Sequence, residues 1–377
     1  MKYYIIVGEA SGDLHGSNLM KALFKEDNKA TIRFWGGDLM KAVGGELVMH
    51  YKERQFMGFA EVILNLKKIS SHLKFCKQDI EAFIPDVIIF IDNSGFNLRI
   101  AKWAKGKNFI THYYISPQVW ASRAGRVEKI KRDVDAMYCI LPFEKDFYKK
   151  YNYNVHFVGH PLIDAIANRP QINEIEFRNT YKLSTKPIIA LLPGSRKQEI
   201  TKMLGVMLSL VNDFEDYQFV IAGAPSQDYD FYKPFIKQDN VSFISNKTYD
   251  LLSIAYAALV TSGTATLETA LFKVPQVVCY KANWLSYQIA KRIITLKFIS
   301  LVNLIMDREV VTELIQGDLN KKRLNKELTT ILNSEKREQL FLDYYDLEKK
   351  LGGKGASATA ARLIYEKIRD ERLEIRN

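Results

Sequence analysis

The chain has 377 residues, 47% of them hydrophobic and 26% charged, so it is too apolar for a disordered protein and long enough for two ordinary domains. Its net charge of +11 favours anionic partners, yet no zinc-knuckle, RRM or helix-turn-helix signature is present and nucleic acid is not expected. Cys76, Cys139 and Cys279 are too scattered for a disulfide framework or a metal cluster and suggest a reducing cytosol. The first apolar run is too short for a signal peptide, and none approaches the ~20 residues that span a bilayer; a soluble or peripheral protein is expected.

Buried strands are predicted at 3–7, 32–35, 87–91, 109–114, 136–140 and 156–158, then at 188–192, 218–222, 241–244, 258–261 and 276–280. Continuous apolar, often β-branched runs alternating with amphipathic stretches argue for parallel sheets covered by helices. Two such series predict an α/β fold of two doubly wound Rossmann-like domains facing a cleft. The expected division is 1–165 and 166–350, with 159–170 as linker. A final segment, 351–377, carries a helix at 356–374 that packs back on the first domain or on a partner subunit.

The first turn reads GEASGDLHG at 8–16. Its glycines recur every four residues, which matches neither the dinucleotide pattern nor a P-loop. Ser11 and Gly12 can hold a phosphate or sugar, or the segment is simply a tight strand–helix turn. Between 57 and 77, Phe59, Val62, Ile63, Leu66, Ile69, Leu73 and Cys76 recur at helical spacing among Lys67, Lys68, Lys74 and Lys77. Met57 and Leu64 fall off that stripe. A basic amphipathic helix can rest on an anionic membrane surface; the competing reading is a stripe facing the core.

The run at 87–91 ends in IDNSGFN at 91–97. Asp92 at a strand end can take a proton from an attacking hydroxyl, or it caps a turn. Beyond YISPQVWA at 114–121, Arg123, Arg126 and Lys129 are candidates for a substrate phosphate, or form a solvated helix face. Asp133-Val134-Asp135 and Asp228-Tyr229-Asp230 have the spacing of a metal-binding pair, but the first precedes a strand and the second reads as a surface loop, so no metal or other cofactor is expected. His15 and His160 border glycine turns and can line the cleft, but without carboxylate or cysteine partners at ligand spacing they read as structural; His112, on a strand, reads as a core residue.

Two turns stand out in the second half, LLPGSR at 191–196 and TSGTATLE at 261–268. Each ends an apolar run and opens a helix, so backbone N–H groups and a positive dipole end would meet an anion. Gly194, Ser195, Ser262, Gly263, Thr264 and Thr266 allow close approach. Arg196 can grip a diphosphate, and Glu268 can accept hydrogen bonds from sugar hydroxyls. A second basic apolar stretch covers 284–304, with Trp284, Tyr287, Ile293, Ile294 and Phe298 beside Lys291, Arg292 and Lys297.

In their order and spacing these segments, with MGFAEV at 57–62, LPFE at 141–144 and SLVNL at 300–304, resemble the lipid-A-disaccharide synthase family. The resemblance runs to about residue 315. It implies a GT-B type fold with an acceptor-side N-terminal domain and a C-terminal domain that binds the UDP-sugar. It also implies inverting, metal-independent transfer of diacylglucosamine from UDP to diacylglucosamine 1-phosphate. The product is a β-1,6-linked disaccharide, and UDP is released. Asp92 matches the family's proposed base, Arg196 its essential arginine at the diphosphate, and Asn303 a polar residue near the donor. Ser11, Gly12, Gln118, Arg123 and Arg126 would serve the acceptor. Met57, Phe59, Val62, Ile63, Leu66, Lys67 and Lys68 would meet the cytoplasmic face of the inner membrane. The family leaves open a homodimer that exchanges C-terminal segments. Many members carry a second Asp three positions after the first, where this chain has Gly95. The competing readings are a UDP-sugar 2-epimerase on the same architecture and a non-enzymatic peripheral binding protein.

Overall fold

The computed structural model describes residues 1–54, 66–122, 124–283 and 297–376. The chain forms two compact units, one of Met1–Ala167 with Leu351–Asn377, the other of Asn168–Lys350.

The first unit is built on a seven-stranded sheet in the order β3-β2-β1-β4-β5-β6-β7. Its strands are β1 (Lys2–Ile6), β2 (Thr31–Gly36), β3 (Glu46–His50), β4 (Val87–Ile91), β5 (Thr111–Tyr114), β6 (Ala136–Cys139) and β7 (His156–Phe157). Every pairing is parallel. The period-2 geometry of a strand divides β1 between two cores. Tyr3 and Ile5 pack with Leu19, Leu23 and Ile89 on one face. Tyr4 and Ile6 pack with Cys76, Ile80 and Phe90 on the other. Both faces are therefore dry, which is why these strands read as unbroken apolar runs.

The final helix, Ala356–Arg376, belongs to the first of these cores through Ala360, Ala361, Ile364 and Ile368. Burial of each isoleucine contributes about 2 kcal/mol. The Asp164 carboxylate accepts from the N–H groups of Gly355 (2.7 Å) and Ser357 (3.3 Å), which fixes the start of that helix.

The second unit carries a six-stranded parallel sheet in the order β10-β9-β8-β11-β12-β13. The strands are β8 (Ile188–Leu192), β9 (Gln218–Gly223), β10 (Val241–Ser245), β11 (Ala257–Thr261), β12 (Gln276–Tyr280) and β13 (Glu313–Ile315).

Strand order reverses between β1 and β4 in one sheet and between β8 and β11 in the other. At such switch points the connections run to opposite sides and leave a crevice beyond the strands' carboxyl ends. Asp92 follows β4, while the LLPGSR and TSGTATLE turns follow β8 and β11.

Two expectations need correction. β3 and β13 are strands that the apolar pattern missed, because one begins with Glu46 and ends in His50 and the other has three residues. The segment expected as linker contains the helix Pro161–Ala167, with Pro161, Leu162 and Ile163 buried in the first unit. Pro161 can start that helix because the first helical position needs no N–H partner.

Candidate active site

In the first unit β4 delivers Asp92 to the switch point. Asp92 and Asn93 both adopt left-handed backbone, at φ +47° and +44°, a conformation costing a non-glycine residue roughly 1–2 kcal/mol. Neighbouring side chains hold it in place. The Asp92 carbonyl accepts from the Tyr113 hydroxyl and from Asn97 Nδ2 at 2.8 Å, and Asn97 Nδ2 also reaches the Ile91 carbonyl at 3.2 Å. None of these bonds uses the Asp92 carboxylate. Burial, and then the charge of Glu9, push that carboxyl above the usual range. A desolvated acid on a strained, pinned backbone is a strong base in a fixed position.

The 8–16 turn divides by role. Gly12 is buried, and a Cβ there would fall 3.0 Å from Val7 Cβ. Asp13 is buried and accepts from the N–H groups of Gly37 (2.8 Å), Leu39 (3.0 Å) and Met40 (3.1 Å), so it fixes the start of the helix Asp38–Val43. Gly12 therefore serves packing. Ser11 is exposed, with its hydroxyl donated to Glu9 Oε1 at 2.7 Å.

His15 and His160 are buried, and desolvation lowers their imidazoles to about 4 and about 3, which keeps both neutral. His112 is a buried core residue whose Nδ1 lies 3.3 Å from the Tyr138 hydroxyl.

Gln118 is exposed and Arg126 half-buried at the start of the helix Val127–Asp133; Arg123 lies outside the described residues. Asp133 pairs with Arg132 at 2.6 Å, and Asp135 with Lys105 and Thr111. Asp228 and Asp230 are exposed. Among the described residues no cluster of three His, Cys, Asp or Glu side chains could hold a metal ion.

In the second unit Gly194 has φ +106°, and a Cβ there would fall 2.9 Å from Glu199 Oε2. The positive φ is what calls for glycine here. The N–H groups of Ser195 and Arg196, expected to await a phosphate, donate to Glu199 Oε2 at 3.3 Å each. Glu199 thus stands where an external anion would bind. The Arg196 side chain is 84% exposed and 3.7 Å from Glu199 Oε1, so its guanidinium is available to a ligand. Ser226 Oγ donates to the Ser195 carbonyl at 2.9 Å and braces the turn.

At the second turn Gly263 has φ +155° and ψ −163°, a region closed to other residues. Gly263 and Thr264 are exposed at the start of the helix Thr264–Leu271. Ser262 donates its hydroxyl to the Ile299 carbonyl at 2.9 Å. Glu268 Oε1 accepts from the Tyr249 hydroxyl at 2.7 Å; burial raises its carboxyl and the Tyr249 bond opposes that. Tyr249 also lines a recess with Pro225, Asn246, Lys247 and Asp250, beyond the carboxyl ends of β9 and β10.

Two residues expected at the donor site have their side chains committed inside the protein. Thr266 is fully buried and its hydroxyl is donated to the Gly263 carbonyl at 2.8 Å. Asn303 is fully buried, and its amide makes four hydrogen bonds inside the protein. Nδ2 donates to the Val311 carbonyl (2.8 Å) and Glu313 Oε1 (2.9 Å), while Oδ1 accepts from Val310 N (2.8 Å) and Val311 N (3.0 Å). That uses the whole capacity of the amide. Glu313, which the sequence did not single out, also accepts from Ile299 N and Ser300 N at 2.9 Å, so the pair holds the loop beside Ser262.

Met57, Phe59, Val62 and Ile63 lie outside the described residues, as do residues 284–296 of the second basic stretch; for Leu66 only the backbone is described. The helix Leu66–Phe83 exposes Lys67, Lys68 and Lys74. Its apolar stripe, Leu73, Cys76 and Ile80, faces the core of the first unit. Tyr4 donates to Asp79 at 2.6 Å and accepts from Trp35 Nε1 at 2.8 Å, locking the helix to the sheet. The core-facing reading therefore holds for this half of the stripe. No helix of the described residues is long and apolar enough to cross a membrane.

A profile of the lipid-A-disaccharide synthetase family matches residues 3–364. Lipid-A-disaccharide synthase of Syntrophus aciditrophicus is 39% identical over 367 residues, covering 95% of each chain. That of Coxiella burnetii is 35% identical over 97% of this chain and 98% of its own. Among solved structures, UDP-GlcNAc 2-epimerase from Neisseria meningitidis bound to UDP-GlcNAc superposes with a TM-score of 0.66 at 14% identity, covering 98% of this chain and 100% of that one. The glycotransferase of kitacinnamycin gives 0.64 at 13%, covering 97% of each chain. Those likenesses establish the GT-B type fold that both share, and at such identity they do not favour the epimerase reading. On the full-length family match, the chain belongs to the lipid-A-disaccharide synthetase family and is a glycosyltransferase.

Proposed function

We propose that this enzyme joins a UDP-linked 2,3-diacylglucosamine to 2,3-diacylglucosamine 1-phosphate, forming a β-1,6-linked disaccharide 1-phosphate and UDP. The observation that carries the reading is Asp92: a carboxylate with no cationic partner among the described residues, raised by burial against the single opposing backbone bond from Asn93, on a strained strand end at the switch point. Binding alone would not require it. The acceptor's 6-hydroxyl oxygen attacks the anomeric carbon, its proton passes to Asp92, and the bond from that carbon to the diphosphate breaks with its electron pair leaving on UDP. One displacement inverts the configuration. The charge growing on the diphosphate is met by the Arg196 guanidinium and by N–H groups at the helix starts after β8 and β11. Those of Ser195 and Arg196 become available as Glu199 yields to the incoming anion. Glu268 and the recess at Tyr249 suit the hydroxyls and base of the nucleotide.

Ser11, Gln118 and Arg126 are the described groups offered to the acceptor and its phosphate. Residues 57–68, with Lys67 and Lys68 exposed at their end, are offered to the anionic face of the cytoplasmic membrane. The deciding experiment supplies both lipid substrates in detergent with EDTA. Disaccharide and UDP in equal amounts support the reading. Epimerisation of water-soluble UDP-N-acetylglucosamine without disaccharide overturns it in favour of the epimerase. Co-sedimentation with anionic vesicles that is lost in Lys67→Glu/Lys68→Glu tests the membrane contact.

A further inference from the structure

β1 and β4 are neighbours in register, Ile6 beside Phe90, so the turns that follow them run side by side. The contact is close: a Cβ on Gly8 would fall 2.3 Å from Asn93 Nδ2. Glu9 follows that glycine as Asp92 precedes that asparagine. Glu9 stands at the N-cap of the helix Ala10–Glu26, yet its side chain makes no capping bond and instead accepts from Ser11 Oγ at 2.7 Å. An acid beside a second acid opposes stability, and this one is not used to cap its helix. Gly95, on the same turn as Asp92, faces open space and offers no acid of its own.

We propose that Glu9 is the second carboxylate of the Asp92 site, a positioning residue that acts through Asp92 by setting its strength as a base. The inference rests on the reading of Asp92 given above. Among the described residues, the charged or titratable groups acting on Asp92 are Glu9 from the turn after β1 and the Tyr113 hydroxyl from β5. Tyr113 stays protonated, because burial raises its hydroxyl well above the ordinary value. That leaves Glu9 as the neighbouring negative charge, and a negative neighbour makes a carboxylate hold its proton more tightly. A general base gains from a strength nearer the working pH. Glu9 is exposed, so its effect is modest and screened by salt.

The test is the pH dependence of kcat/KM for the full chain, wild type against Glu9→Gln and Glu9→Asp, at low and high salt. In Glu9→Gln the acid limb moves to lower pH by a few tenths of a unit, as for an exposed pair, and the plateau falls by no more than about twofold. Glu9→Asp keeps most of both. High salt shifts the wild-type limb in the same direction and leaves that of Glu9→Gln in place. An acid limb in Glu9→Gln coincident with wild type overturns the inference, whatever happens to KM. If wild type makes no disaccharide, the proposed function fails first; if wild type is active, Asp92→Ala is inactive and the Glu9→Gln limb is unmoved, only the role of Glu9 fails.

Discussion

Asn303 separates two accounts of the donor side. Asn303→Ala removes four hydrogen bonds from a site with no exposure to solvent. At a net value of about 1 kcal/mol each, with Val310 N, Val311 N and the Val311 carbonyl left unpaired and Glu313 keeping only its bonds from Ile299 N and Ser300 N, the loss is about 4 kcal/mol. For a unit the size of Asn168–Lys350, each kcal/mol moves the transition by ~2–4 °C, so its melting point falls by roughly 8–16 °C. Asn303→Asp keeps an acceptor for the two N–H groups but sets a carboxylate against Glu313. It is expected to destabilise at neutral pH and to recover as the pair takes up a proton. Differential scanning calorimetry reads the stability, and UDP titration well below the transition reads the site. The structure predicts a large drop in melting point with UDP affinity within about threefold of wild type. A melting point within ~2 °C of wild type, together with a tenfold or greater loss of UDP binding, would refute this and make Asn303 a ligand contact.

Other outcomes follow from the same geometry. Arg196→Ala leaves stability within about 0.5 kcal/mol, since the side chain is exposed, but lowers kcat/KM by roughly 100- to 1000-fold; steady-state kinetics with both substrates, beside a melting curve, check the pair. Tyr113→Phe removes the hydroxyl that pins the Asp92 carbonyl. A bond worth about 1.4 kcal/mol makes kcat fall about tenfold with KM little changed, and an unchanged kcat would mean that the carbonyl needs no such anchor. Glu144 is buried, which raises its carboxyl from 4.5 to about 7. The unfolded chain ionises first, so stability from this group is complete below about 4.5, declines as pH rises to about 7 and is level above. Urea midpoints of Glu144→Gln should therefore gain on wild type across that window, and a constant difference would count against it.

Much of this architecture is legible in the sequence because both sheets are covered on both faces. Runs such as 87–91 and 188–192 are apolar throughout, and the parallel arrangement follows from their alternation with helices. Catalytic candidates are legible for a related reason: Asp92, Arg196 and the glycines at 194 and 263 sit where an apolar run breaks. What escapes the sequence is pairing across distant segments. Nothing in 199 announces a carboxylate folded back on the N–H groups of Ser195 and Arg196, and nothing in 249 or 313 announces partners for Glu268 or Asn303. Asn303 reads as a donor contact by resemblance alone, and only its four partners show it as a brace of the loop. The stripe containing Leu73 and Cys76 has the spacing of a membrane-facing helix and of a core-facing one alike. The Tyr4–Asp79 bond and the burial of Ile80 decide for the core over the described half. Pro161 reads as a linker residue because proline marks both loop and helix start, and only the burial of Leu162 and Ile163 distinguishes them.

The most direct test of the account is a quantitative transfer assay with the two purified lipid substrates in detergent, comparing wild type with Asp92→Ala and Arg196→Ala. The account predicts disaccharide and UDP in equal amounts from wild type, with both products falling by at least about 100-fold in each variant while the fold is retained. Full activity in Asp92→Ala would contradict the assignment of the base, and no disaccharide from wild type would contradict the proposed reaction itself.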